Sequence, residues 1–184
     1  MKRFICAALA ACMCLSLLAG CGATASSGTD EPKDYAHILQ DARGPELNEV
    51  YDVFYLKEDG SLGVTAGNSG EYTDSQAQDI GSSSLTLLGI DPADCTGFAV
   101  SVSQMMTQSY GIAIVQPAEG KADAVKEGLQ GFIQQQMDMQ EHYLADQYDI
   151  AKAAKLEVAP SGEVVLVMCE GAGDVLANIQ KALK

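Results

Sequence analysis

Residues 95–116 read CTGFAVSVSQMMTQSYGIAIVQ, and this stretch decides the fold. From Cys95 to Ser103, Phe98, Val100 and Val102 recur at every second position, the period of a strand. Tyr110–Gln116 reads as a second strand, centred on Ile112-Ala113-Ile114-Val115. The connector Gln104–Ser109 is short, so the two strands pair antiparallel. Met105 and Met106 inside it are read as a plug under the hairpin, with an adaptable contact loop as the alternative.

Working outward, Glu119-Gly120 opens a long helix with Ala122, Val125, Leu129, Phe132 and Ile133 on one face. A helical stretch over Tyr143–Ala154 continues it with a bend. Lys155–Ala159 and Glu163–Cys169 flank Pro160-Ser161-Gly162, turn residues that make a second hairpin. The last helix, Gly173–Leu183, carries Val175, Leu176, Ile179 and Leu183. Upstream, Asp34 caps a short helix with Tyr35, Ile38 and Leu39 on one face, stopped at Arg43-Gly44-Pro45. Glu46–Leu56 reads as a helical turn and then an extended segment. Residues 57–72 read as a loop or loose hairpin, and Asp74–Leu88 as a helix closed by Gly89. The expected class is α+β, an antiparallel sheet of two hairpins with helices packed on one face. Residues 35–184 are expected to form one domain.

The other end of the chain reads as an address. Lys2-Arg3 precede an apolar run, Phe4–Ala19, shorter than the roughly 20 residues a spanning helix needs. Residues 1–20 are therefore expected to be a signal peptide. Its end, Leu18-Ala19-Gly20-Cys21, resembles the lipobox of bacterial lipoproteins. The resemblance implies cleavage before Cys21, a diacylglyceryl group on its thiol, and display on the outer face of the cell membrane. Two acyl chains hold a protein stably at a bilayer, where one does not. Residues 21–34 are small, polar and Pro-containing, and are expected to be a flexible tether. Cys6, Cys12 and Cys14 leave with the signal, so Cys95 and Cys169 remain. An exported domain permits a disulfide between them; the alternative is two small buried apolar groups.

The segments Leu88-Gly89-Ile90-Asp91-Pro92-Ala93-Asp94, Ser101-Val102-Ser103-Gln104-Met105-Met106 and Gly111–Val115 carry a second resemblance, in order, with Gly120–Val125, Tyr143–Tyr148 and Gly162–Met168. Over about residues 89–183 the chain resembles the domain of unknown function 4358 family. These are small exported bacterial domains, commonly lipoproteins. The resemblance supports fold and location and carries over no site residue.

Composition narrows the chemistry. Lys+Arg number 11 against 25 Asp+Glu, a net charge of −14 that deepens once Lys2 and Arg3 are removed. No basic footprint for phosphates exists, so no nucleic-acid partner is expected. GxxxxGK[ST], GxGxxG and GxSxG do not occur, and the two His and separated Cys lack the close spacing of a zinc site. Asp138, His142 and Asp146 would share a face if the helix continued, and could then hold a divalent cation or act as a base. A solvated face is the commoner outcome. Gln134, Gln135 and Gln136, with Gln130 and Gln140, are read as solvating theirs.

No metal, no cofactor and no catalytic residue is therefore expected. The functional expectation is a membrane-anchored, non-enzymatic binding or accessory module of the cell envelope. Its partners would be the membrane, through Cys21, and an envelope protein of unknown identity. A small cell-envelope hydrolase is the alternative. A pocket with convergent polar groups and ionisable residues tuned for reaction would favour that enzyme. A receptor enclosing its ligand between two lobes would need a longer chain.

Overall fold

The computed structural model describes residues 33–67 and 69–184. The signal segment, Cys21 and the tether through Pro32 lie outside the described residues. The elements run α1 (Tyr35–Arg43), α2 (Pro45–Val50), β1 (Val53–Leu56), β2 (Leu62–Thr65), α3 (Asp74–Leu87), β3 (Cys95–Val102) and β4 (Gly111–Pro117). Then come α4 (Ala122–Gln140), α5 (Ala145–Lys152), β5 (Lys155–Val158), β6 (Val164–Met168) and α6 (Ala172–Ala182). The fold is α+β. One sheet takes the order β2-β1-β3-β4-β6-β5, every neighbour antiparallel. The stretch 57–72, expected as a loop or loose hairpin, holds β2, so three hairpins build the sheet rather than two.

Helices cover both faces, which corrects the expectation of one. Ala99, Ile112, Ile114, Val165 and Val167 pack with Leu39 of α1 and Ile179 of α6. Phe98, Val100, Ala113, Val115, Val164, Leu166 and Met168 point the other way, against Leu85 of α3 and Leu129 and Phe132 of α4. The physical reason stands in the strands themselves. Ile112–Val115 and Val164–Met168 are unbroken apolar runs, and a run without polar alternation must be buried on both sides. Together with the helices, residues 33–184 carry a complete core of their own, the condition for folding independently.

Local chemistry sets the helix ends. The Asp34 side chain accepts from the His37 amide at 3.0 Å, the cap expected for α1. Thr73 and Gln76 form a reciprocal capping box at α3. The chain leaves α3 through Gly89 at φ +69°, and α4 crosses there: a Cβ on Gly128 would sit 2.0 Å from the Gly89 carbonyl oxygen. Only glycine lets the two backbones approach so closely.

The folded part begins earlier than the expected tether allows. Lys33 donates to the buried Glu163 at 2.8 Å and to the Leu183 carbonyl at 3.0 Å. Tyr35 donates to the same carboxylate at 3.1 Å, and Ser161 donates to its other oxygen. Burial pushes the Glu163 carboxyl up, but the bonds from Lys33 and Ser161 outweigh it and hold it below its ordinary range. This cluster ties the start of α1 to the β5–β6 turn and to the end of α6.

Phe132 is 2% exposed, while Gln135 lies on the open side of α4. Phe132→Ala is expected to cost about 3–5 kcal/mol in denaturant unfolding through lost transfer energy and a cavity. Gln135→Ala is expected to stay within about 0.5 kcal/mol. Two variants that both unfold like the parent would contradict the packing of α4 on the sheet.

Candidate functional site

The feature that stands out is a charge placed inside. Arg43, the last residue of α1, is 7% exposed. Gly44 follows at φ +82° and turns the chain into α2, which swings Asn48 and Tyr51 back over the guanidinium. Nε donates to Asn48 Oδ1 at 2.6 Å. Nη1 donates to Ser101 Oγ at 2.6 Å and to the Tyr110 hydroxyl at 2.7 Å. Nη2 donates to the Tyr51 carbonyl at 2.5 Å. Every partner is neutral. Among the described residues no carboxylate lies within ion-pair distance of Arg43.

Tyr51 stacks on Tyr110 with centroids 3.7 Å apart and planes 6° from parallel. The Tyr51 hydroxyl donates to Gln108 Oε1 at 3.0 Å, and Gln147 Oε1 accepts from the Ser109 amide at 2.8 Å. These groups line a cleft of about 630 Å³ that continues past Cys169, Glu170 and Gly171 at the start of α6. An adjoining hollow of about 390 Å³ shares Ile150 and Cys169 and adds Asp149, Lys155 and Asp174. Ser109 is 2% exposed, and its Oγ has no hydrogen-bond partner. Such an orphan is uncommon in a folded interior.

Burial acts on three ionisable groups of the cleft. Burial pushes the Cys169 thiol up to about 11, with Arg43 opposing. Burial likewise raises Tyr51 and Tyr110, again against the pull of Arg43. No histidine lines it. His37 pairs with Asp41 on the surface of α1 at 3.3 Å, and His142 stands outside at the end of α4. The arrangement offers a fixed guanidinium, a stacked aromatic pair and side-chain amides to a ligand.

The residues singled out from sequence fare differently. Cys21 lies outside the described residues. Cys95 and Cys169 are both free thiols, so the permitted disulfide is not formed. Val102 pairs with Gly111, and Gly111 with Met168, which puts Cys169 at the far end of the sheet from Cys95. That separation is on the order of 20 Å at strand rise, against the ~6 Å between Cα atoms that a bridge needs. They also pack into opposite cores. Asp138, His142 and Asp146 share no face, because α4 stops at Gln140 and a turn precedes α5. No group of three or more His, Cys, Asp or Glu among the described residues could hold a metal ion.

Two other readings are corrected. Gln136 and Gln140 are buried rather than solvated, and Gln140 Nε2 donates to the Met106 carbonyl at 2.7 Å. That bond holds the connector by its backbone, so Met105 and Met106 stand 56% and 75% exposed instead of plugging the core. Arg43, Tyr51 and Tyr110 were not among the sequence candidates. Arg43 looked like the basic end of a short helix, and its burial depends on Ser101 and Tyr110, far along the chain. The one local signal was Gly44-Pro45 after it, which forces the chain to turn back at that point.

Residues 68–169 match the family model described as domain of unknown function (DUF4358), a match that starts earlier and stops earlier than residues 89–183. No curated protein and no solved structure matches the chain. The matched segment supplies Gln108, Ser109, Tyr110, Gln147 and Cys169 to the cleft, while Arg43, Tyr51 and Gly171 come from its flanks.

The Arg43 hydrogen bonds generate a stability prediction. A lysine keeps the charge but cannot span the fork. Arg43→Lys is expected to lose about 2–4 kcal/mol in denaturant unfolding, the sum of the charged hydrogen bonds it cannot remake. Glu46→Gln, at the exposed edge of the cleft, is expected to stay within about 0.5 kcal/mol. An Arg43→Lys variant as stable as the parent would show that the fork is not what orders this wall.

Proposed function

The chain belongs to the domain of unknown function family whose model it matches, and on that premise we propose that it is a lipid-anchored binding module displayed on the outer face of a bacterial cell membrane. The observation that carries the binding half is the cleft of about 630 Å³ walled by Arg43, Tyr51 and Tyr110. Its volume falls in the range of small-molecule sites, and a few placed polar groups in a largely fixed wall are the ordinary means of recognition. Ser101 and Asn48 hold the guanidinium still, so little side-chain entropy is lost when a ligand arrives.

The anchoring half rests on Leu18-Ala19-Gly20-Cys21 after a basic start and an apolar run. Among the described residues no helix is long and apolar enough to cross a membrane. A diacylated Cys21 would supply the attachment instead. The chain's acidity then acts in its favour: a surface of like sign is repelled by anionic headgroups and stays accessible.

Both halves are tested on protein taken from cells. Radiolabelled fatty acid is expected to enter the parent chain and not Cys21→Ala, and the variant is expected to leave the membrane fraction. Native mass spectrometry of the detergent-extracted parent is expected to show a non-covalent small-molecule adduct. Equal labelling of the two chains would overturn the anchor, and a parent that flies without any adduct would overturn the binding module.

A further inference from the structure

The cleft carries charge of both signs. Its buried wall holds Arg43, uncompensated by any described carboxylate, and four of the guanidinium's N–H donors are spent on Asn48, Ser101, Tyr110 and Tyr51. One Nη2–H is left uncommitted. A buried charge without a counter-charge is costly. Two further features of the same cleft point the same way. Gly171 begins α6 in the left-handed conformation at φ +69°, and no side chain caps the helix. The amides of Ala172 and Gly173 therefore lack intrahelical partners and lie at the positive end of the helix dipole, whereas those of Asp174 and Val175 donate to the Gly171 carbonyl. The Ser109 hydroxyl, buried and unpartnered, is a third donor in that wall.

The mouth has the opposite sign. Glu46 and Glu170 line the same cleft and are exposed, and Asp149 and Asp174 outnumber the one cation, Lys155, that they add to the adjoining hollow. A simple anion would be drawn to the wall and repelled by the mouth. A ligand with a carboxylate at one end and an ammonium at the other satisfies both. Resting on the reading of this cleft as a ligand site, we infer that its ligand class is a short linear peptide, seated carboxylate-first against Arg43 and the start of α6 with its ammonium toward Glu46 and Glu170. The adjoining hollow of about 390 Å³, which shares Ile150, Cys169, Glu170 and Gly171 with the cleft, gives room beyond a single amino acid and so favours a peptide.

The test uses residues 33–184, trialanine, its C-terminal amide and its N-acetylated form, with amide chemical shifts of Ser109, Gly171 and Gly173 followed by NMR. Trialanine is expected to move these signals in a saturable way. The amide and the acetylated form are each expected to bind at least about tenfold more weakly, because each leaves one charged partner unmet. Glu170→Gln removes only an exposed carboxylate, so the fold is kept. It is expected to weaken trialanine severalfold and leave the acetylated form unchanged. Equal binding of the amide would overturn the Arg43 end, and equal binding of the acetylated form would overturn the ammonium end. If none of the peptides moves these signals while the extracted chain still carries an adduct, the peptide class falls and the binding module stands. No response together with no adduct would overturn both.

Discussion

Burying one guanidinium organises this end of the molecule. Arg43 must leave water, and the fold answers with four hydrogen bonds drawn from three separate parts of the chain. Asn48 and Tyr51 come from α2 and the residue that ends it, Ser101 from β3, and Tyr110 from the residue that leads into β4. Ser101 also donates to the Asp52 carbonyl at 2.6 Å, so the same hydroxyl fixes where β1 begins. Removing any partner leaves a charge in a low-dielectric wall with an unmet donor, which is why such networks tend to be complete or absent. Here one Nη2–H is left over, and no carboxylate among the described residues supplies the counter-charge.

The scaffold beneath gives the cleft a packed frame. β3, β4 and β6 sit in the middle of the sheet with helices on both sides, and their side chains are almost wholly withdrawn from water. Loops at one end of these strands then line the cleft: Gln108–Tyr110 before β4, and Cys169–Gly171 after β6. Loops that carry function on a packed scaffold are the usual division of labour. The family match covers that scaffold, whereas Arg43 and the start of α6 lie on its flanks.

Much of this was readable from the residues. The β3–β4 and β5–β6 hairpins, the Asp34 cap, the stop at Gly44-Pro45 and the apolar stripe of α4 all rest on short-range rules, and each appears as expected. The second helical layer was written there too, in the unbroken runs Ile112–Val115 and Val164–Met168, but a period-two reading of Phe98, Val100 and Val102 favours a single covered face. Other features depend on contacts distant in sequence. Gln140 looks like a solvated residue until the Met106 carbonyl is brought beside it, and Met105 and Met106 look apolar enough for a core until that bond holds their backbone at the surface. The break after Gln140, which separates Asp138, His142 and Asp146, follows no proline or glycine. Arg43 is the extreme case: its local sequence marks a helix end, and nothing near it in the chain announces Ser101 or Tyr110.

The central claim is that the Arg43 wall is held ready for a ligand carboxylate. A crystal structure of residues 33–184 grown with trialanine tests it most directly. The account predicts the peptide's terminal carboxylate within hydrogen-bond distance of Arg43 Nη2, with its ammonium facing Glu46 or Glu170. A peptide bound in the reverse direction, or a cleft that stays empty while trialanine sits elsewhere on the protein, would contradict it.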